Sequence, residues 1–368
     1  MMTSKERMLT ALARGVPDRL PITIHQWQDY HLQRYMGGRD QLEAYLAVGL
    51  DASVTPGDVQ ALMPSRDWEH RVEPAGERGE ARLTRHRVRT PGGELTWLTS
   101  TDAYTTYVIE HALKTYRDAE IFLDYWPETR LDKERLAHWY ERTADHGIVR
   151  GFIASFVQAG PWQELCELAG TTQAIYWAFD APAFVHHFLE RLTEKKISYV
   201  YREMPGARYD LIEQGGGAAS SNVISPAMFD EFCVKYDRRI NEALREVGFK
   251  TVYHTCGAMM ALLDHIPANG SDASETLSPP PSGGDIRTVE DRLELKQRLG
   301  SKLALIGGID QVGVLSTGTP AQVEAEVVAC FETYGRSGGY IASASDHFFD
   351  TPVANLEALA RAARRCTY

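Results

Sequence analysis

The chain has 368 residues, with Lys+Arg 39 against Asp+Glu 50, a net charge of −11, and 43% hydrophobic and 24% charged residues. This is the usage of a globular protein with a large core, because a domain of about 300 residues buries roughly three quarters of its unfolded surface. The acidic balance leaves no basic footprint for nucleic acid, and no apolar run approaches the roughly 20 residues that span a bilayer.

Residues 3–14 predict a short amphipathic helix carrying Met8, Leu9, Ala11 and Leu12 on one face, with Thr3 or Ser4 as its cap. The start has charge but no apolar stretch behind it, so it does not read as a secretory signal. Pro17-Asp18-Arg19 breaks the helix, and Leu20–Ile24 reads as a strand. Over 69–110 the pattern changes. Ala81–Thr90 alternates, Pro91-Gly92-Gly93 turns, and Glu94–Leu98 alternates back, which predicts a β-hairpin with one wet face.

From about 130 onward, strand-like and helix-like stretches take turns. Strands are predicted at 148–156, 209–214, 250–254, 271–277, 303–307 and 338–343. Helices are predicted at 131–145, 161–168, 181–203, 226–247, 258–266, 287–299, 320–334 and 353–365. Strands separated by helices form βα units on a parallel sheet. With further strands near 20–24 and 51–55, the count predicts a (β/α)8 TIM barrel with an N-terminal extension and the hairpin inserted at 69–110. The whole of 1–368 is expected to be one domain. No Gly-x-Gly-x-x-Gly or Walker-type loop follows a strand, which argues against a nucleotide site. Five dispersed cysteines, Cys166, Cys233, Cys256, Cys330 and Cys366, fit a reduced, cytoplasmic compartment.

A barrel of this kind works at the C-terminal ends of its strands. In chain order those ends carry His25, Asp58, Gln158, Glu213 with Gly215-Gly216-Gly217, His254-Thr255-Cys256, Glu275, Gly307-Gly308-Ile309-Asp310, and Ser345-Asp346-His347. His254-x-Cys256 is the sharpest motif, since two residues apart at a strand end their side chains point to the same side. Imidazole and thiolate together suit zinc; the bland alternative is a packed pair with an inert thiol. A third ligand must come from another loop. His347 is best placed for it, with Glu275 and Asp346 as other options. The glycine run lets a ligand or backbone approach closely, or is simply a flexible loop. Asp310 could orient a substrate or cap the next helix. Trp27, Tyr30 and Tyr35 could line a cavity or belong to the core.

Several stretches, taken in order, carry a resemblance. They are Glu6–Leu12 with Pro17–Pro21, Ile224-Ser225-Pro226 before a helix with Phe232, Gly307–Asp310 with Gly318-Thr319-Pro320, and Thr351-Pro352-Val353-Ala354-Asn355. Together they resemble the uroporphyrinogen decarboxylase superfamily over essentially the whole chain, which implies the same barrel. In that superfamily true decarboxylases bind a polycarboxylate tetrapyrrole through two arginines, at positions that are Gln26 and Tyr30 here, and an aspartate that matches Asp58. The corrinoid-linked methyltransferase branch binds zinc through His-x-Cys and a later cysteine. His254-x-Cys256 matches the first part; no cysteine lies in 343–350, and His347 can stand in for it. The resemblance therefore implies a zinc-dependent methyltransferase exchanging a methyl group between a corrinoid (cobalamin), free or on a corrinoid protein, and a small thiol or O-methyl substrate. A metal-free decarboxylase-like enzyme and a non-catalytic tetrapyrrole or corrinoid carrier are the alternatives. The expected assignments are Asp58, Glu213 and Asp310 as catalytic, His25, Gly216 and Gly217 as cofactor contacts, and His254, Cys256 and His347 on the metal. A homodimer is possible.

Overall fold

A computed structural model describes residues 1–153 and 160–368. Eight parallel strands carry the architecture: β1 (Ile22–Thr23), β2 (Ala52–Val54), β3 (Gly147–Phe152), β4 (Leu211–Gly215), β5 (Thr251–His254), β6 (Ala273–Thr276), β7 (Ala304–Ile309) and β8 (Tyr340–Ala344). Their order is β1-β8-β7-β6-β5-β4-β3-β2, so β1 pairs with β8 and every other neighbour is one step away in sequence. The two end strands meet where the Asp51 amide donates to the Ile22 carbonyl at 2.9 Å. With helices between the strands this is a (β/α)8 TIM barrel, as the sequence predicts. Gln158 lies outside the described residues.

Successive side chains on a strand point to opposite faces, so each barrel strand sends alternate residues inward. One inward set is apolar. Ile148, Leu211, Val252, Ala273, Ala304 and Ile341 pack together with Met8, Ala11 and Leu12 of the helix Ser4–Leu12, which plugs that end of the barrel. Thr3 caps the helix by accepting from the Glu6 amide. Two residues further along their strands, the same face carries Arg150, Glu213, His254 and Glu275, all buried. The outward residues Val149 and Ile212 pack against Val200 and Ile240 of the surrounding helices.

The insertion is larger than a hairpin. Four antiparallel strands, Glu69–Arg78, Ala81–Thr90, Gly93–Thr101 and Thr106–Glu110, form a separate sheet. The first of them is exposed throughout, so period-two burial leaves little apolar signal there. A helix predicted at 258–266 is instead two 3-10 turns, Met260–Leu262 and Ile266–Asn269. Asp285 accepts from the amides of Met259 and Met260, and Pro267 has no amide hydrogen to extend a helix. Among the described residues no helix is long and apolar enough to cross a membrane.

Candidate metal centre and active site

The polar layer begins with Arg150, which follows Ile148 on the inward file of β3. Its Nη2 donates to Glu213 Oε2 at 2.7 Å and to both Glu275 oxygens at 2.8 and 2.9 Å. Its side chain is 3% exposed, against 6% and 2% for the two carboxylates. A buried cation is tolerable only when anions and hydrogen bonds replace its water, and here two anions flank one guanidinium. Nothing in the local sequence marks Arg150 as functional; the available signal is one charge among the apolar residues of a barrel strand.

The strand ladder pairs His254 with Glu275. His254 Nδ1 donates to Glu275 Oε1 at 3.1 Å and lies 3.6 Å from Glu213 Oε1. His25, after β1, brings its Nδ1 to 3.7 Å from the same Glu275 oxygen, and its ring centre to 4.9 Å from that of His254. Burial works against a charged imidazole on His254, but Cys256 and the Glu213 and Glu275 carboxylates raise it well above the usual histidine range. Burial also opposes ionisation of Glu275, yet Arg150 and the two imidazoles hold it well below the usual carboxylate range. Glu213 is pushed upward, first by burial and then by Glu275. The two acids share one cation unequally.

Toward solvent the donor set changes. His254, Cys256 and Asp346 place one donor atom each within 4.8 Å of one another. Because His254 Nδ1 is committed to Glu275, its Nε2 is the nitrogen left for a ligand, an arrangement in which a carboxylate orients a metal-binding imidazole. One imidazole, one thiolate and one carboxylate suit a zinc-type ion. His25, Glu213, His254 and Glu275 form a second set within the same limit. There, however, both carboxylates already bond the Arg150 guanidinium, and a metal cation would sit beside a fixed positive charge. The donors nearer solvent fit a metal better.

His347 stands elsewhere. Its Nε2 donates to Gln26 Oε1 at 2.9 Å, and its ring lies 5.3 Å from that of His25. It shares a donor set with His25 and Asp346, not with Cys256. Burial, with His25 beside it, pushes its imidazole down to about 4. The residue that places a donor atom with those of His254 and Cys256 is its chain neighbour Asp346. Burial would raise that carboxyl, but His254, His25 and His347 hold it below the ordinary range.

The glycine run closes on the same spot. Gly216 has φ +152° and its amide donates to the His254 carbonyl at 2.9 Å. A Cβ on Gly217 would lie 2.7 Å from Cys256 Sγ. The close approach the glycines permit is therefore to the His-x-Cys segment itself. Asp310 accepts from the amides of Val312 at 3.0 Å and Gly313 at 2.8 Å, so its carboxylate caps the turn that follows β7. Asp58 is on the surface, its side chain 88% exposed and 3.7 Å from Arg135, outside the polar cluster.

Residues 151–366 match the sequence profile described as Uroporphyrinogen decarboxylase (URO-D). The methylated-thiol–coenzyme M methyltransferase of Methanosarcina mazei is 24% identical over 217 residues, 59% of this chain and 53% of that protein, so the match spans about half of that relative. The methylcobamide:CoM methyltransferase MtbA of the same organism is 22% identical over 386 residues, covering 100% of this chain and 99% of the relative. The uroporphyrinogen decarboxylase of Xanthomonas campestris pv. campestris is 25% identical over 380 residues, 95% of this chain and 92% of that one. Among solved structures, a methyltransferase from Methanosarcina mazei superposes with a TM-score of 0.67 at 16% identity, covering 99% of both chains; the likeness is one of fold.

Proposed function

Because the chain belongs to the uroporphyrinogen decarboxylase family, a family of enzymes, we propose that it is a metal-dependent methyltransferase, exchanging a methyl group between a corrinoid, free or protein-bound, and a small thiol or O-methyl substrate. The observation that carries this reading is the convergence of His254, Cys256 and Asp346 at the barrel mouth. The two methanogen methyltransferases among its relatives support it. A zinc ion held by these three residues would supply Lewis acidity, favouring a bound thiolate or polarising an ether oxygen.

The chain's own residues do the rest. Glu275 fixes the His254 ring through Nδ1 and so presents Nε2 outward. Arg150 offsets one of the two charges of Glu213 and Glu275 from below, which reduces the negative charge an incoming thiolate would meet. Gly217 makes room for the Cys256 sulfur. The decarboxylase reading has less to stand on: Gln26 and Tyr30 occupy the positions of the family's substrate-binding arginines, and Asp58 faces solvent.

The test is metal analysis of protein purified without chelators, alongside Cys256→Ser and Asp346→Asn. About one equivalent of zinc in the parent, lost in both variants, supports the proposal. Less than about a tenth of an equivalent, unchanged in Cys256→Ser, removes it.

A further inference from the structure

Beside the candidate metal centre lies a cavity of about 550 Å³, between the ends of β1, β2 and β3 and the loop joining the third and fourth strands of the inserted sheet. Its floor comes from the barrel, including Trp27, Tyr30 and Phe152; its roof is that loop, including Asp102 and Tyr104. The roof is fastened. The hydroxyls of Tyr30, Tyr35 and Tyr104 donate to the Asp350 carboxylate at 2.9, 2.6 and 3.0 Å. The Tyr104 ring also lies 4.6 Å from that of Tyr30 and 5.3 Å from that of Phe349. Gln26 lines the cavity and bonds His347, whose chain neighbour Asp346 belongs to the metal set, so Gln26 and His347 link the cavity to that set.

The charge of this chamber is one-sided. Among the described residues that line it, the ionisable side chains are Asp29, Asp102 and two tyrosines, with no lysine, arginine or histidine. Aromatic faces and carboxylates attract ammonium groups and tolerate neutral ones. An anionic group would find amide and hydroxyl donors but no positive charge among the described lining residues, and would face two carboxylates.

We propose that this chamber is the substrate-binding site, that the inserted sheet is its specificity wall, and that it selects thiols or methyl ethers that are neutral or carry an ammonium group over anionic ones. The proposal rests on the methyltransferase reading, because it takes the methyl-bearing atom to lie at the metal end of the chamber.

Three thiols that differ only in their second group test it: 2-aminoethanethiol, 2-mercaptoethanol and 2-mercaptoethanesulfonate. Calorimetric titration of the zinc-supplemented protein reads binding without requiring turnover. The expected order is amine, then alcohol, then sulfonate, with a gap of about tenfold or more between first and last. Asp29→Asn is expected to narrow that gap, and Tyr104→Ala to weaken all three. A sulfonate that binds as tightly as the amine, or no binding by any of the three, overturns the proposal. A parallel assay follows methyl transfer from methylcobalamin, in which the methyl carbon passes to sulfur, the thiol proton goes to solvent and cobalt keeps the electron pair. Ordered binding without any methyl transfer would sink the methyltransferase reading while leaving the charge selectivity of the chamber in place.

Discussion

His254 and Glu275 stand opposite each other on neighbouring strands, Nδ1 to Oε1 at 3.1 Å, in a pairing that the backbone ladder itself sets. The bond therefore does not depend on two loops finding each other. Its geometry follows from the strand register, and it sets which nitrogen of His254 faces the candidate metal. Glu275 also bonds Arg150, so this one carboxylate ties the metal site to the buried charge beneath it.

Replacing Glu275 by Gln should act twice. Zinc affinity should fall by about 10- to 100-fold, the usual cost of losing an oriented outer carboxylate. Stability should fall by roughly 3 kcal/mol, because Arg150 stays buried with one anion fewer. Competition with a chromogenic chelator measures the first effect and urea denaturation the second.

Asp346 and His347 separate cleanly. Asp346→Ala should remove most bound zinc, whereas His347→Ala should keep it, because His347 bonds Gln26 and shares no donor set with Cys256. Equal zinc loss in both variants would move the third ligand to His347.

Gly217→Ala places a methyl group 2.7 Å from Cys256 Sγ, inside contact distance. Such overpacking costs about 1–3 kcal/mol when neighbours cannot yield, and here the yielding atom is the sulfur of a proposed metal donor. Zinc retention should drop more than the melting temperature does, and a Gly217→Ser variant should behave alike.

The buried Asp237 accepts from the Tyr253 hydroxyl at 2.9 Å. Burial, against the pull of Tyr253 and Lys196, raises its carboxyl from the ordinary 3.8 to about 7. The fold thus prefers the protonated acid. Stability is fullest below about pH 4 and declines as pH rises toward 7, where the unfolded chain releases a proton that the folded one keeps. Asp237→Asn stays neutral and can still accept from Tyr253. Its urea midpoint at pH 7.5 should exceed that of the parent by an amount equivalent to roughly 2–4 kcal/mol, at about 1.36 kcal/mol per pK unit, and the gap should shrink to about 1 kcal/mol at pH 4.5 and close near pH 3.

The barrel was legible because its strands are short apolar runs between long amphipathic helices, and that period depends on local composition alone. His25, Glu213, His254, Cys256 and Glu275 were legible for the same reason: each sits at or just past the end of such a run, where a barrel puts its chemistry. Arg150 was not, since its two acidic partners are 63 and 125 residues away and nothing nearby in the sequence reports them. The exposed first strand of the insertion escaped because a strand with no buried face has no period to read.

Sequence alone determined the order of strands and helices, the reactive groups available to the mouth, and the match of His254-x-Cys256 to a metal-binding pattern. Only the closed barrel decided which groups meet: Asp346 beside Cys256, His347 turned to Gln26, Asp310 spent on a cap, Asp58 left in water. The reason is geometric. A ligand set depends on distances of a few ångströms among residues from different strands, and those distances follow from strand register and closure, which no single stretch of chain contains.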